Sequence, residues 1–332
     1  MITNTLRELL TNLIDYAGLF PPASLPLDKA YKQFTGYINE SDEWILSKFI
    51  CPAKQLSSLA ELIKTDENNS RPFSISVLGR SGANIEEFIK GTNDDLLQII
   101  NFSKETENKF HTDAFEVRLP EDLVLENNPN AMYEVLNSVS ANFKENLNLP
   151  VKKFFELTIK SELKNDWKAS VNNFASALKR HNEYFGQDEN FPRSGFKLRT
   201  GGVEASAFPS PEQIAYVINI CYENQVPLKF TAGLHHPIRH YNESVKTKMH
   251  GFLNVFGAGV LLYGNDLIEQ DLIDILSDED AESFKFDGNY FRWKEFKSPI
   301  KVIENARKNF VISYGSCSFD EPREDLTTLQ LL

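Results

Sequence analysis

The chain has 332 residues, with 35 Lys and Arg against 47 Asp and Glu, for a formal net charge of -12. That acidic balance argues against the broad basic face that nucleic acid requires, and a hydrophobic fraction of 41% with 25 Phe excludes a disordered chain. No apolar run approaches the roughly 20 residues that span a bilayer, and Cys51, Cys221 and Cys317 are too far apart for a disulfide framework or a paired metal motif. The first residues carry Glu8 and lack a signal-like apolar core. The expected setting is therefore cytoplasmic, with neither membrane nor nucleic acid as partner.

Short apolar runs alternate with helix-length amphipathic runs. Strands are expected at 13–17, 46–50, 73–77, 114–119, 153–158, 195–199, 228–231 and 310–314. Helices are expected at 27–38, 54–63, 85–100, 131–143, 166–181, 211–223 and 244–262, with polar loops at 66–70 and 184–193. Asn84 followed by Glu87 predicts a capping box, and Ser210-Pro211-Glu212-Gln213 predicts another with Pro at the first helical position. Behind it, Ile214, Val217, Ile218 and Cys221 share one helical face that must pack on a sheet.

Eight short strands separated by helices imply an α/β fold, a closed (β/α)8 TIM barrel. The rival, an open doubly wound sheet, lacks support: there is no Gly-x-Gly-x-x-Gly after an early strand and no Walker A sequence. One domain over 1–332 is expected, with an insertion at about 264–309 before the last strand. The insertion reads as a hairpin near Ser283–Trp293 and a helix capped by Ser298-Pro299. Alternatively 284–286 is the eighth barrel strand and the last strand is additional.

The later strands carry charges where apolar residues are usual. Side chains alternate across a strand, so Glu116 and Arg118 share a face, as do Glu156 and Thr158, Lys197 and Arg199, and Lys229 and Thr231. The opposite faces hold Phe, Leu and Val. Helices cover the outside of a barrel, so the polar set should point inward, near the carboxyl ends where barrel active sites lie. Buried unpaired charge is costly, so four such strands in succession point to a compensated polar centre.

Two lysines at matching depth on neighbouring strands have a specific use. A second ammonium or a desolvated site lowers a lysine's pKa and frees its lone pair for imine formation. Glu116 or Glu156 would shuttle protons, and His235 or His236 would protonate or stabilise an oxygen. Arg118 and Arg199 offer rigid forks to an anionic group, and Thr200, Gly201 and Gly202 could present backbone N–H groups. Asp15, at the end of the first strand, is a further substrate-binding candidate.

The segments Lys197-Leu-Arg-Thr-Gly-Gly202, read as Lys-x-Arg-Thr-Gly-Gly, and Lys229-Phe-Thr-Ala-Gly233, read as Lys-x-Thr-Ala-Gly, resemble the sixth and seventh strands of the deoxyribose-phosphate aldolase group of class I aldolases. That resemblance implies that Lys197 forms the imine and Lys229 tunes it. The loop Leu234-His-His-Pro237 departs from the group's plain Gly-rich turn. Across the wider chain, Asp15-Tyr-Ala-Gly-Leu-Phe-Pro-Pro-Ala23, Gly233-Leu-His-His-Pro237 and Gly315-Ser-Cys-Ser-Phe-Asp-Glu-Pro322 resemble motifs of an uncharacterised protein family of bacteria and plants, which brings no activity with it.

The leading expectation is thus an aldolase-like carbon–carbon lyase that forms a Schiff base with a small anionic carbonyl compound and needs no cofactor. A metal-assisted hydrolase or lyase built on Glu156, His235 and His236 with a divalent ion is the enzyme alternative. A non-catalytic small-molecule binding barrel is the third, and it predicts internal salt bridges without a cavity. Homo-oligomerisation is left open. His181 and His250 are expected on helix surfaces, and Cys317 is expected to be a buried inert thiol.

Overall fold

The computed structural model describes residues 2–66, 71–147, 150–158, 167–186, 188 and 191–332. Eight parallel strands close into a barrel: β1 (Ile14–Tyr16), β2 (Leu46–Pro52), β3 (Ser74–Leu78), β4 (His111–Arg118), β5 (Lys152–Leu157), β6 (Gly195–Arg199), β7 (Leu228–Thr231) and, last in the chain, β13 (Val311–Ser316). β13 pairs with both β7 and β1 and so completes the ring. All eight strands fall where the alternation of apolar runs places them.

The outward faces pack on helices through aromatic rings. Phe115 meets Phe143 at 4.8 Å between centroids, Phe196 meets Phe174 at 4.9 Å, and Phe230 meets Phe256 at 5.3 Å. Their neighbours Val117, Phe155, Leu157, Leu198 and Leu228 are buried on the same side. Burying an aromatic or branched side chain contributes about 1.5–3 kcal/mol, so this shell fixes which face of each strand turns inward. Ser210 caps the helix Pro211–Glu223 in a complete capping box. The Asn84 box is half made: Asn84 accepts from the Glu87 N–H, but Glu87 reaches back to the N–H of Ala83.

Beyond β7 the chain departs from expectation. Residues 244–262 are not one helix. β8 (His240–Asn242) and β9 (Thr247–Met249) form an antiparallel hairpin, and the helix begins only at Phe252. Lys246 takes a positive φ in the turn, and the N–H groups of Phe252 and Leu253 bond to the carbonyls of His236 and Pro237. The helix Phe252–Gly264 is buried around its whole circumference from Phe252 to Leu262. One layer of strands cannot cover such a helix, and the segment before β13 supplies the second layer.

That segment contains the helix Glu269–Ser277, the antiparallel strands β10 (Phe284–Phe286), β11 (Tyr290–Trp293) and β12 (Phe296–Pro299), and the helix Ile300–Asn309. Residues 284–286 therefore belong to a separate three-stranded sheet and not to the barrel, and the stretch 283–293 divides into two strands. Ser298 does not cap the following helix; its hydroxyl donates to the Val260 carbonyl instead. Asn254, polar in an apolar helix, donates to the carbonyls of Ile275 and Asp278 at 2.8 Å each.

Short helices at Asn4–Leu10 and Asp320–Thr328 were not anticipated. His181 and His250 are buried, not on helix surfaces. His181 bonds to Asn137, Ser140 and Ser194, and His250 bonds to the Pro209 carbonyl. The expected helix start at Asp166 and most of the polar loop at 66–70 lie outside the described residues, as do parts of the 184–193 loop. Among the described residues no helix is long and apolar enough to cross a membrane.

Candidate active site

The inward faces of the strands bring seven charged side chains into one alternating series. Lys48 Nζ lies 3.6 Å from Asp15, and Asp15 pairs with Lys229. Lys229 Nζ is 2.7 Å from Glu116 Oε1, and Lys197 Nζ is 2.9 Å from Glu116 Oε2. Lys197 is also 3.0 Å from Glu156 Oε2, and Glu156 Oε1 is 3.6 Å from Arg199 Nε. Signs alternate along the whole series from Lys48 to Arg199. Its five central members, Asp15, Lys229, Glu116, Lys197 and Glu156, are buried. Two hydroxyls complete the shell: Ser76 donates to Glu116 at 2.5 Å and Ser313 donates to Asp15 at 2.7 Å. Lys229 Nζ also stands 5.7 Å from the centre of the Phe154 ring.

The series fixes the protonation states. Burial pushes Glu116 towards its neutral form, but Lys197 and Lys229 outweigh it and hold the carboxyl well below the usual range. Burial likewise opposes ionisation of Asp15 and Glu156, which are held low by Lys229 with Lys48 and by Lys197 with Arg199. Burial acts to lower Lys197 and Lys229, yet their carboxylates raise both above the ordinary lysine value. The expected tuning of Lys197 by Lys229 is therefore not what this arrangement does. The two lysines are register partners on β6 and β7, but Glu116 from β4 stands between their ammonium groups and turns repulsion into a bridge.

A cavity of about 430 Å³ opens above this series at the carboxyl ends of the strands, a size usual for small-ligand sites. Glu116, Glu156 and Lys197 line its floor, and Arg118, Arg199, Gly202 and His235 line its wall. Arg118 donates to Ser81 at 3.3 Å. His235 Nδ1 pairs with Glu321 at 3.0 Å, from the helix Asp320–Thr328. Lys229 and Asp15 are not in the cavity lining; they form the layer beneath it.

Other expected residues serve the frame. The Thr200 hydroxyl donates to the Ala232 carbonyl at 2.6 Å and so ties the loop after β6 to the loop after β7. Gly201 packs against Gly233, whose φ is +76°, so closely that a Cβ on Gly201 would come within 2.8 Å of the Gly233 Cα. His236 turns away to Asp325 at 2.5 Å and packs edge-on against His240. With Glu156 held by Lys197, and His235 and His236 each held by a different carboxylate, the donor set proposed for a metal is dispersed. Among the described residues no group of three or more His, Cys, Asp or Glu side chains is arranged to hold a metal ion. Cys317 lines the cavity and burial raises its pKa.

Sequence reasoning missed Lys48, Ser76 and Ser313, which hold the series in place. The signal was available in alternation: Lys48 shares a face with Ile50, and Ser76 with Leu78, both cavity residues. It also missed Ile50 and Leu78, which form the opposite wall together with Phe20, Pro21 and Pro22.

No family model matches the sequence, and no curated protein matches it. Among solved structures the chain is similar to QR15, an aldolase, with 8% identity, 97% of each chain covered and a TM-score of 0.49. It is also similar to candidate deoxyribose-phosphate aldolases from Toxoplasma gondii and Coccidioides immitis. The first shares 13% identity over 70% of this chain and 80% of that one, at a TM-score of 0.45. The second shares 8% identity over 71% and 77%, at a TM-score of 0.42. Likenesses of this depth assign neither a family nor a substrate.

Proposed function

We propose that this barrel is an aldolase-like lyase that forms a Schiff base between Lys197 and a small anionic carbonyl compound. The observation that carries this reading is the position of Lys197: its amine lines the cavity floor, held between two carboxylates that line the same floor. A binding barrel without chemistry would bury its salt bridges away from any cavity, whereas here the central pairs border one.

The resting ammonium is not a nucleophile, so the first step is a proton shift from Lys197 to Glu156 or Glu116, both in contact with it. The free amine then attacks the carbonyl carbon and passes one of its protons to the oxygen, the carboxylic acid returns the other, and the oxygen leaves as water. The resulting iminium withdraws electrons from the bond next to the adjacent carbon. If the carbon beyond that neighbour bears a hydroxyl, loss of the hydroxyl proton to a carboxylate breaks the bond between the two, releases the hydroxyl-bearing carbon as an aldehyde or ketone and leaves an enamine on Lys197. Protonation and hydrolysis restore Lys197. Lys229 acts from below by neutralising Glu116, so that the floor does not accumulate two uncompensated carboxylates.

The test is reductive trapping. Borohydride with a panel of small aldehydes and oxo acids should leave a mass adduct on the peptide containing Lys197, and Lys197→Met should lose both the adduct and turnover, by roughly 10³-fold or more. Adducts confined to exposed lysines across the whole panel would remove the imine reading.

A further inference from the structure

The cavity has two unlike arcs. One, from β4 to β6, presents Arg118, Glu116, Glu156, Lys197 and Arg199; the other, from the loop after β1 through β2 and β3, presents Phe20, Pro21, Pro22, Ile50 and Leu78. A ligand that fills both must be anionic at one end and apolar at the other. A second anionic group on the far side would be desolvated against carbon, which is costly.

The ionic arc also sets an anion site close to the reacting carbon. A single carboxylate, that of Glu156, reaches Lys197 Nζ with one oxygen at 3.0 Å and approaches Arg199 Nε with the other at 3.6 Å. Amine and guanidinium are therefore bridged by one carboxylate and stand on neighbouring parts of the cavity lining. An anion bonded directly to the carbonyl carbon can contact Arg199 while that carbon meets Lys197. A carboxylate is such a group; the phosphorus of a phosphate ester is separated from the carbonyl by further carbon and oxygen and is a poorer match to this close pair. Arg199 is half exposed to the cavity, and its Nη1 makes only a long bond of 3.4 Å to the Gly201 carbonyl. Its fork can therefore take a carboxylate in the bidentate manner that guanidinium favours.

We propose that the ligand class is a 2-oxo acid with an apolar side chain: carboxylate on Arg199, C2 at Lys197 Nζ, side chain on the wall of Phe20, Pro21, Pro22, Ile50 and Leu78. This deepens the imine reading and rests on it for the role of Lys197, but the binding preference stands or falls separately. The arrangement couples binding to activation. A carboxylate on Arg199 offsets the positive charge beside Glu156, which makes Glu156 the better base for the Lys197 proton. One proton moves from Nζ to Glu156. The amine then adds to C2, the C2 oxygen leaves as water with that proton and the second amine proton, and the iminium carries the carboxylate.

Calorimetry on the full chain tests this with 4-methyl-2-oxopentanoate, phenylpyruvate, pyruvate, 2-oxoglutarate and 3-methylbutanal, followed by borohydride trapping of each mixture. The apolar oxo acids should bind at least about tenfold tighter than pyruvate or 2-oxoglutarate, since one or more methylenes in an apolar pocket discriminate at that level. Arg199→Met should erase the preference for 4-methyl-2-oxopentanoate over 3-methylbutanal. Phe20→Ser, on the rim and checked for an unchanged melting curve, should narrow the preference over pyruvate. Equal or tighter binding of pyruvate, 2-oxoglutarate or the aldehyde, or no binding by any acid, overturns the ligand class. Lys197 adducts without acid preference would leave the imine chemistry and overturn the class. Apolar acids that bind in the expected order yet form no adduct would support the class and remove the imine.

Discussion

The two arcs of the cavity come from different strands of one barrel, β4 to β6 for the ionic arc and β2, β3 and the loop after β1 for the apolar one, and they differ in what holds them. The ionic arc is held by pairing: each buried charge touches an opposite one, and each member depends on its neighbours. The apolar arc is held by packing behind it and borders open space in front. Substitutions should therefore propagate along the ionic series and stay local on the apolar wall.

The largest effect should come from breaking the ionic series at its deepest cation. Lys229→Met leaves Asp15 and Glu116 facing each other without their shared partner. Removing one member of a buried pair costs about 3–5 kcal/mol, and urea unfolding should show a loss of that order. Adding Asp15→Asn to Lys229→Met should recover part of the loss, because residues in one network are not additive. A loss below about 1 kcal/mol, or strict additivity, would mean that the series is not coupled.

The ionic arc was largely legible in the sequence, and the strand residues of the apolar arc were not. A charge in a short apolar strand is conspicuous, and alternation assigns it to the inside, which placed Glu116, Glu156, Lys197, Arg199 and Lys229 correctly on the inner face. An Ile or Leu at a strand end reads the same whether it lines a cavity or packs beneath a helix, so Ile50 and Leu78 gave no sign. Partnership was also hidden. Lys197 and Lys229 are neighbours in register, which suggested mutual repulsion. Only closure of the ring brings Glu116, two strands from β6, between them. The hairpin at 240–249 escaped for another reason: its polar residues lie directly before an apolar helix and read as that helix's first turns.

The next effect concerns pH, and it contrasts the ionic arc with a lysine outside it. Asp15, Glu116 and Glu156 have folded values below their unfolded ones, so their stabilisation is present above about pH 4 and is lost as pH falls. Lys197 and Lys229 have raised values, so theirs is present below about pH 10 and is lost above it. The series therefore contributes a plateau between these limits. Lys153 has the opposite sign. It faces outward on β5, buried with its ammonium 3.8 Å from the Phe191 ring centre, and burial lowers its pKa to about 7. The unfolded chain binds that proton more tightly, so stability should climb from about pH 7 to about pH 10. Lys152, lowered by burial to about 8, adds to the climb above pH 8, so Lys153→Met should reduce the climb, most of all between about pH 7 and pH 8, and stabilise the protein at pH 7 by on the order of a few kcal/mol, measured as urea midpoints across the range. An unchanged slope would show that Lys153 is paired in the folded chain.

The smallest effects give the sharpest contrast, because they compare one buried atom or group on each arc. Ser76→Ala removes the hydroxyl that donates to Glu116 and leaves the carboxylate one donor short in a buried site. Hydrogen bonds to charged groups contribute about 1.5–3 kcal/mol, so a stability loss in that range is expected, and imine formation should slow as the balance among Glu116, Lys197 and Lys229 shifts. Ile50→Val removes one methylene from the opposite wall. Its side chain already borders the cavity, so the stability cost should sit at the low end of about 0.5–1.5 kcal/mol. Its effect should fall on ligand choice instead, favouring a bulkier apolar side chain. If Ile50→Val cost as much stability as Ser76→Ala and left ligand preference untouched, the wall would be ordinary core and the division into two arcs would lose its functional meaning.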